Sequence, residues 1–241
     1  MRNASLDKRK TIGVLGGMGP EATALFFRLL VRATDAEKDQ DHARILVWND
    51  PRIPPRSEAL LEEGASPLPA LLAGLALLER GGAGLVVMPC LTAHAWAPAL
   101  AAAARVPFVS LIAETLAHVR RELPKLRTVG LLATPGTIRA GLFAKAAAKA
   151  GLRLLVPPPR AQGSVTAAIS EIKAGRAAGR PRTILLRAAR ALVARGAEAV
   201  IAGCTEVPLV LRPDDLAVPL LEPMAIGARV CVKKAGYAVR D

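Results

Sequence analysis

Short apolar segments alternate along the chain with longer segments that are rich in Ala and Leu. The apolar segments are TIGVLGG, ARILVWN, AGLVVMPC, VPFVSLI, TVGLLAT, LRLLVP, EAVIAGC and VPLLEP. Uninterrupted apolar runs of this length are typical of strands buried on both faces, as in parallel sheets. The Ala- and Leu-rich segments between them are long enough to form helices. The pattern therefore predicts an α/β protein with mostly parallel strands.

The second half of this pattern resembles the first half. Three pairs of segments align in the same order, at shifts of 117, 114 and 112 residues: IGVLGG with VGLLAT (12–17 and 129–134), GAGLVVMPC with GAEAVIAGC (82–90 and 196–204), and VPFVS with VPLLE (106–110 and 218–222). Three such matches indicate a duplication, which divides one long α/β chain into two similar halves.

We therefore predict an α/β fold of two pseudo-symmetric lobes, each with a mostly parallel sheet flanked by helices. The first lobe covers residues 1–120, the second covers residues 121–225, and a terminal helix at 226–241 packs back on the first lobe. Because ligands bind outside the carboxyl ends of parallel strands, two facing lobes would share one cleft.

Composition narrows the class of protein. The chain has 241 residues, of which 52% are hydrophobic, which is enough for a large core. It has no uncharged apolar run of roughly 18 residues, and the stretch MRNASLDKRKTIGV carries charges where a signal peptide would be apolar. We expect a soluble cytoplasmic protein without a membrane partner. Three cysteines without CxxC spacing argue against a disulfide framework and a cysteine-rich zinc site, so no metal site is predicted.

The net charge of +13 raises the question of nucleic acid binding. Apart from KRK at 8–10, however, the basic residues stand singly on helix-like segments, and aromatic residues make up only 3% of the chain. Platforms on which bases could stack are therefore scarce. A solvated basic surface that attracts anionic metabolites is favoured over a nucleic acid site.

Two of the cysteines stand in similar surroundings. Cys90 and Cys204 each follow an apolar strand, lie near a threonine (Thr92 and Thr205) and precede a segment that could begin a helix. A single unpaired cysteine is more often an inert core residue, but a matched pair in two duplicated lobes favours a functional role. Free N–H groups at a helix start would lower the pKa of each thiol. By contrast, Cys231 lies within the apolar run ARVCV and is predicted to be core.

Two thiols that face each other across one cleft suit the inversion of a carbon centre. One thiol removes a proton from carbon, and the other delivers a proton to the opposite face. Because a proton on an α-carbon is far less acidic than a thiol, the site must also supply donors that bind the carboxylate and stabilise the developing negative charge.

Six segments spread over nearly the whole chain carry a family resemblance: TIGVLGGMGPEAT, NDPRIPPR, VVMPCLTAH, VGLLATPGT, IKAG and IAGCTEVPLVL. In combination they resemble the aspartate/glutamate racemase family, and within it the aspartate racemases. The resemblance implies a PLP-independent amino acid racemase that needs no cofactor and works by two cysteines. It also implies the two-lobed fold and a homodimer. Aspartate is the first expected substrate, with glutamate or a broader set of amino acids behind it.

The resemblance also implies roles for particular residues. Cys90 and Cys204 match the two acid/base cysteines. The predicted substrate-binding residues are Thr92, Thr134 and Thr205 for the α-carboxylate and amino group, Met18 in the loop that lines the cleft, and Arg56 and Lys173 for a side-chain carboxylate. A guanidinium fork and an ammonium point charge are both suited to gripping a carboxylate. In PRIPPR the prolines stiffen the loop that carries Arg56.

One position departs from the family pattern. Where the family has Cys-Asn-Thr, this chain has Leu91 between Cys90 and Thr92, and leucine cannot hydrogen-bond the substrate. Losing one donor to a charged group weakens binding by about 1.5–3 kcal/mol. A less polar or broader substrate range would fit this change. His94 and Glu206 lie close enough to the cysteines in sequence to orient a thiol, but each is equally explained by packing or by a helix start.

Two other functions remain open at this point. The chain has Gly17-x-Gly19-x-x-Ala22 between a strand and a helix, and the next strand ends near Asp50, as in sites that bind NAD. Pro20 and the lack of a second glycine fingerprint weaken this NAD-dependent oxidoreductase hypothesis. Alternatively, a homologue with Leu91 would bind an amino acid with little or no turnover.

Overall fold

Two parallel sheets form the framework of this computed structural model, which describes residues 8–61 and 64–240. The first sheet and its helices are built from β1 (Thr11–Gly16), α1 (Pro20–Ala33), β2 (Ile45–Asn49), α2 (Arg56–Leu60), α3 (Leu68–Arg80), β3 (Ala83–Val87), α4 (Ala97–Ala103), β4 (Phe108–Val109) and α5 (Leu111–Glu122). The first seven residues of the predicted first lobe and the last residue of the predicted terminal helix lie outside the described residues.

The second sheet repeats this plan. Its elements are β5 (Thr128–Leu132), α6 (Pro135–Arg139), α7 (Leu142–Lys149), β6 (Arg153–Leu155), α8 (Pro159–Lys173), α9 (Arg180–Ala194), β7 (Ala199–Ala202), β8 (Leu220–Leu221) and α10 (Pro223–Lys234). The strand orders are β2-β1-β3-β4 and β6-β5-β7-β8, and every pair of neighbouring strands is parallel. The predicted α/β fold with two similar lobes is therefore confirmed.

Each predicted apolar segment contains a strand, but two of the strands are short. In VPFVSLI the strand covers only Phe108–Val109, because the Ser110 hydroxyl accepts a hydrogen bond from the Ala113 N–H (3.3 Å) and caps α5. A serine at a helix start satisfies one of the unpaired N–H groups there. In VPLLEP the strand gives way to α10, which begins at Pro223.

The central strands alternate between two cores because neighbouring side chains on a strand point to opposite faces. In β1, Ile12 and Val14 face a central core between the two sheets, whereas Leu15 faces an outer core under α3. The central core also holds Val129 and Leu131 of β5, so both sheets bury one face in it. The other face of the second sheet packs on α8 and α9. Burial of each such side chain stabilises the fold by about 1.5–3 kcal/mol.

The end of the described chain packs on the first lobe. Helix α10 contacts α1 and α5, and the residues after it run along the end of α1. The backbone bonds of this segment are Lys10 N–H to Ala235 O (2.8 Å), Asp35 N–H to Ala238 O (3.0 Å) and Arg240 N–H to Ala33 O (2.9 Å). Since α5 and α10 both contribute to the central core that the sheets share, the lobe boundaries at 120 and 225 stay a prediction.

Within residues 8–61 and 64–240, no helix combines the length and the apolar character needed to cross a membrane. The predicted site residues lie at the carboxyl ends of β1, β3, β5 and β7, on the loop after β2 and at the end of α8.

Candidate active site

A cleft of about 540 Å³ opens between the carboxyl ends of the two sheets. Five of the predicted site residues line it: Arg56, Cys90, Thr92, Thr134 and Lys173. Residues of both lobes therefore share one cavity. The other three predicted residues, Met18, Cys204 and Thr205, are buried beside the cleft and do not line its volume.

Cys90 lies in the loop that follows β3, and 5% of its surface is exposed. Its loop is held by His94. The Leu111 N–H donates to His94 Nε2 (3.0 Å), so the ring hydrogen sits on Nδ1, which donates to the Cys90 carbonyl oxygen (2.9 Å). Both ring nitrogens are hydrogen-bonded to backbone groups, so His94 holds the loop and does not polarise the thiol.

Burial keeps the His94 ring neutral. Desolvation lowers its pKa to about 4, although the bond to the Cys90 carbonyl acts in the opposite direction. The tautomer with the hydrogen on Nδ1 is therefore the form present at neutral pH.

Cys204 has a carboxylate partner, Glu206, whose role the sequence left open. It follows β7 in the first turn before a short 3-10 helix, and its Sγ–H donates to Glu206 Oε2 at 2.8 Å. The Thr205 hydroxyl donates to the same oxygen at 3.3 Å. Cys204 and Glu206 are 4% and 3% exposed. Among the residues that the structure describes, no carboxylate bonds to Cys90 Sγ, so the two thiols are not equivalent.

The predicted lowering of the thiol pKa is wrong for Cys204. Burial raises its pKa well above the ordinary value, and the negative charge of Glu206 raises it further, while Lys173 acts in the opposite direction. The expected helix dipole is weak here because β7 is followed by a single 3-10 turn, not by an α-helix. Cys204 therefore rests as a protonated thiol.

Lys173 is the last residue of α8 and lines the open cleft. Desolvation lowers its pKa, but the negative charges that Cys204, Glu206 and Cys90 can carry raise the pKa by more, so the net shift is upward. Arg56 opposes this rise. Lys173 is therefore cationic at neutral pH, and its charge acts on both thiols.

Three threonine hydroxyls join the two lobes at the floor of the cleft. Thr92 Oγ1 lies 3.0 Å from Thr134 Oγ1 and 2.8 Å from Thr137 Oγ1, and the last two oxygens are 3.0 Å apart. Thr134 also caps α6 by accepting from the Thr137 N–H (3.3 Å). Thr137 was not among the predicted site residues, because its role depends on contacts with Thr92 of the other lobe that no sequence spacing reveals.

Arg56 begins α2 and is tied to its own loop. Its Nη1 donates to the carbonyl oxygens of Ile53 (2.9 Å) and Pro54 (3.0 Å). Its other guanidinium N–H groups have no hydrogen-bond partner in the described part of the chain. The side chain can therefore bind an anion while its position is fixed by the loop.

Met18 and Leu91 are both buried, and neither lines the open cleft. Met18 is 2% exposed and packs in the outer core of the first lobe, in the cluster that also contains Cys90. Leu91 is 2% exposed and packs in the central core. The position that departs from the family pattern thus adds apolar contacts between the sheets and presents no polar group to the cleft.

The glycine loop after β1 is closed by contacts within the chain. The Gly17 N–H donates to Thr23 Oγ1 and the Thr23 hydroxyl donates to the Gly19 carbonyl oxygen, both at 2.9 Å. A side chain at Gly17 would collide with the backbone of Asp50. A diphosphate needs free N–H groups and space at this point, so these contacts do not favour the dinucleotide interpretation.

Helix α8 adds three residues that sequence reasoning did not select, two of them polar. Thr166, Ile169 and Ser170 line the cleft together with Lys173. Their spacing of three or four residues places them on one face of the helix, a pattern that could have been followed back from Lys173. Over the described residues, no group of three His, Cys, Asp or Glu side chains is arranged to hold a metal ion.

Known proteins share this fold. The chain is 29% identical to an aspartate racemase from Picrophilus torridus, whose structure superimposes with a TM-score of 0.86 over 96% of each chain. An aspartate racemase homologue from Pyrococcus horikoshii OT3 is 23% identical and has a TM-score of 0.75, with 94% of this chain and 99% of that chain covered. The second likeness shows the fold alone.

A related sequence and a family model also match the chain. A broad specificity amino-acid racemase, RacX from Bacillus subtilis (strain 168), is 23% identical over 225 residues, which cover 92% of this chain and 96% of that protein. The model of the Asp/Glu/Hydantoin racemase family matches residues 15–231. The predicted isomerase class is confirmed by these matches, and the chain belongs to the Asp/Glu/Hydantoin racemase family.

Proposed function

We propose that this protein is a cofactor-independent racemase that interconverts L- and D-aspartate with Cys90 and Cys204 as its two acid/base groups. One observation carries the proposal. Cys90, Arg56 and Lys173 line one cleft between the lobes, and the charge of Lys173 acts on both Cys90 and Cys204. The cleft is thus lined by one thiol and two cations that suit a dicarboxylic amino acid, and the second thiol is buried beside it.

In the proposed reaction, the Cys90 thiolate takes the α-proton of one enantiomer and becomes a thiol. Cys204 then gives its Sγ–H proton to the opposite face of the carbanion and becomes a thiolate. The opposite enantiomer reacts by the reverse sequence, from the enzyme form in which Cys204 is the thiolate and Cys90 is the thiol. The Cys204 thiol donates its hydrogen bond to Glu206 in the resting enzyme, so Cys204 begins as the acid in this direction. Proton exchange with water restores the starting state.

The hydroxyls of Thr92 and Thr134, together with Thr205, bind the α-carboxylate and amino group in this proposal. Arg56 and Lys173 bind the side-chain carboxylate, the first with free N–H groups and the second as a point charge. Charge on the α-carboxylate rises as the α-proton leaves, so donors that strengthen their bonds at that moment lower the barrier.

Isotope exchange tests the proposal. Wild type, Cys90→Ser and Cys204→Ser are each incubated in D2O with L-aspartate and, separately, with D-aspartate. Wild type is expected to introduce deuterium at the α-carbon and to invert it, and each serine variant is expected to lose inversion. Full activity in Cys90→Ser would disprove the two-base assignment. Aspartate that protects wild type from heat unfolding without any exchange would instead support an amino acid-binding protein.

A broader substrate range is the second candidate, and the position of Leu91 favours it. Leu91 presents no amide to the substrate, and the relative from Bacillus subtilis is described as having broad specificity. Measuring the exchange of all common amino acids separates the two candidates. A preference of at least about tenfold for aspartate, or about 1.4 kcal/mol, supports the acidic substrate.

We further infer that the protein forms a homodimer in a reducing, cytoplasmic compartment. Phe27 on α1 and Val47 on the edge strand β2 are large apolar side chains that are 44% and 36% exposed, on elements that contact each other. Light scattering is expected to give twice the chain mass, and Val47→Lys is expected to give a monomer. A reducing compartment keeps both thiols available.

A further inference from the structure

Helix α6 of the second lobe contacts a loop and a helix of the first lobe. Thr134, which caps α6, and Thr137 within it bond to Thr92 in the loop that carries Cys90. On another side, α6 packs against α2, the helix that begins with Arg56. One short helix thus contacts both the loop that carries Cys90 and the helix that begins with Arg56.

The contact between α6 and α2 is close because α6 has a glycine there. Gly136 is buried, and a Cβ atom placed on it would lie 2.8 Å from Ser57 Cα, 3.0 Å from Ser57 Oγ and 3.2 Å from Ser57 Cβ. Carbon atoms in contact prefer separations of about 3.5–4.0 Å, so any larger residue would push α2 away. Because the nearest atom belongs to the backbone, a new rotamer of Ser57 cannot relieve the collision.

Ser57 is the residue next to Arg56. The Arg56 guanidinium is bonded to the carbonyl oxygens of Ile53 and Pro54, so it moves with its loop as one unit. A displacement of Ser57 therefore displaces the Arg56 charge with respect to Lys173 and the thiols, which lie on other elements. The contact of α2 with Gly136 therefore bears on where the Arg56 guanidinium lies in the cleft.

We propose that Gly136 is a positioning residue that sets the depth of Arg56 in the cleft, and that this contact between lobes determines the preference for a second carboxylate on the substrate. The inference rests on the proposed racemase function and adds a residue for selectivity. Gly136 itself touches α2 and does not contact the reacting atoms.

Gly136→Ala tests the role of the contact. The KM for aspartate is expected to rise about tenfold while kcat changes by less than about twofold, because a shifted guanidinium weakens binding of the side-chain carboxylate and leaves both thiols in place. Exchange and binding of alanine, which lacks that carboxylate, are expected to stay at the wild-type level. Gly163→Ala is the matched control, since nothing lies within 4 Å of a Cβ atom at that helical glycine.

Two double variants separate positioning from general packing. Ser57→Gly combined with Gly136→Ala is expected to restore only part of the aspartate affinity, because Ser57 Cα stays in the way. In an Arg56→Ala background, Gly136→Ala is expected to have no further effect on aspartate, since the charge that it displaces is gone. Equal losses for aspartate and alanine, or a full additional loss without Arg56, would overturn the proposal.

Binding is measured beside turnover in every variant, by the protection that L-aspartate and L-alanine give against heat unfolding. If wild type exchanges no amino acid, the proposed racemase function fails, but the binding preference still tests the role of Gly136. If wild type is active and Gly136→Ala keeps the wild-type preference for aspartate, the positioning role fails and the racemase function stands.

Discussion

At the scale of single residues, the two cysteines differ most in their neighbours. Cys204 donates to a buried carboxylate, whereas Cys90 sits in a loop that His94 fixes through its backbone. Glu206 thus stabilises the thiol form of one cysteine only. A two-base reaction starts with one group charged and the other neutral, and the bond to Glu206 favours the neutral form of Cys204.

Replacing Glu206 by Gln tests this difference. Glutamine keeps an oxygen acceptor but removes the negative charge that raises the pKa of Cys204, so that pKa is expected to fall. Alkylation of Cys204 by iodoacetamide should then begin at a lower pH than in wild type, as followed by mass spectrometry of its peptide. Racemisation is expected to slow about tenfold or more. Lys173→Met is the opposing control, because losing a positive charge should move Cys204 reactivity to higher pH.

The His94 ring predicts a pH dependence of stability. Its pKa is about 4 in the folded protein and about 6.5 when unfolded, so the unfolded state binds a proton first as the pH falls. The contribution of the neutral ring is complete above pH 6.5 and is lost between pH 6.5 and 4, up to about 3 kcal/mol. Urea unfolding of wild type and His94→Asn across this range measures it. An equally steep pH dependence in the variant would contradict the assignment to His94.

Sequence reasoning was more successful with the identity of residues than with their charge states. The pattern of strand, cysteine and threonine selected Cys90 and Thr92, and the family resemblance added Thr134; all three line the cleft. The protonation of Cys204 was missed because it depends on burial and on the direction of the Glu206 side chain, which no spacing reveals. Gly136 was missed because its proposed role depends on the lack of a side chain where α6 meets α2, a helix that is distant in sequence.

At the scale of helices and strands, the clearest constraint lies between α10 and α5. A side chain at Gly227 of α10 would collide with the side chain of Leu111 at the start of α5. Both helices border the central core, so their separation is set by this contact.

Gly227→Ala is therefore expected to lower the free energy of unfolding by about 1–3 kcal/mol, since overpacking forces the helices apart. Urea denaturation at pH 7.5 measures the change. Gly163→Ala, which adds a methyl group in open space on α8, should be neutral or stabilising by up to about 1 kcal/mol. Similar values for the two variants would show that α10 adjusts without strain.

The strands were predictable because parallel strands between two apolar layers need long apolar runs. The ends of the helices and strands were less predictable. VPFVSLI reads as one apolar segment, yet Ser110 divides it into a strand and a helix start. The repeat shifts of 117, 114 and 112 residues correctly indicated a second sheet with the same strand order. They carried no information on how closely the two sheets share one core.

At the scale of the whole molecule, the proposed racemisation of mirror-image substrates imposes a condition on the asymmetric site. L- and D-aspartate have equal free energy in water. The value of kcat/KM must therefore be the same in both directions, whatever the protonation states of the two cysteines. The preference of Cys204 for its proton can appear only in kcat and KM taken separately.

Unequal kcat values for the two enantiomers are therefore expected, with KM values that differ by the same factor. Progress curves followed by circular dichroism from each enantiomer provide both constants. Glu206→Gln is expected to bring the two kcat values closer together, because it removes a charge that distinguishes the thiols. Equal kcat and equal KM in wild type would show that the hydrogen bond at Cys204 has no kinetic effect.

The return of the chain end to the first lobe also affects how the protein is made. Residues 235–240 bond to Lys10 and to the end of α1, and α10 covers the central core. During synthesis on the ribosome, the apolar surface of the first half stays uncovered until the second half has been translated. We therefore expect folding to be completed only at the last stage of synthesis. This protein should depend on chaperones for longer than an α/β protein whose domains fold one after the other.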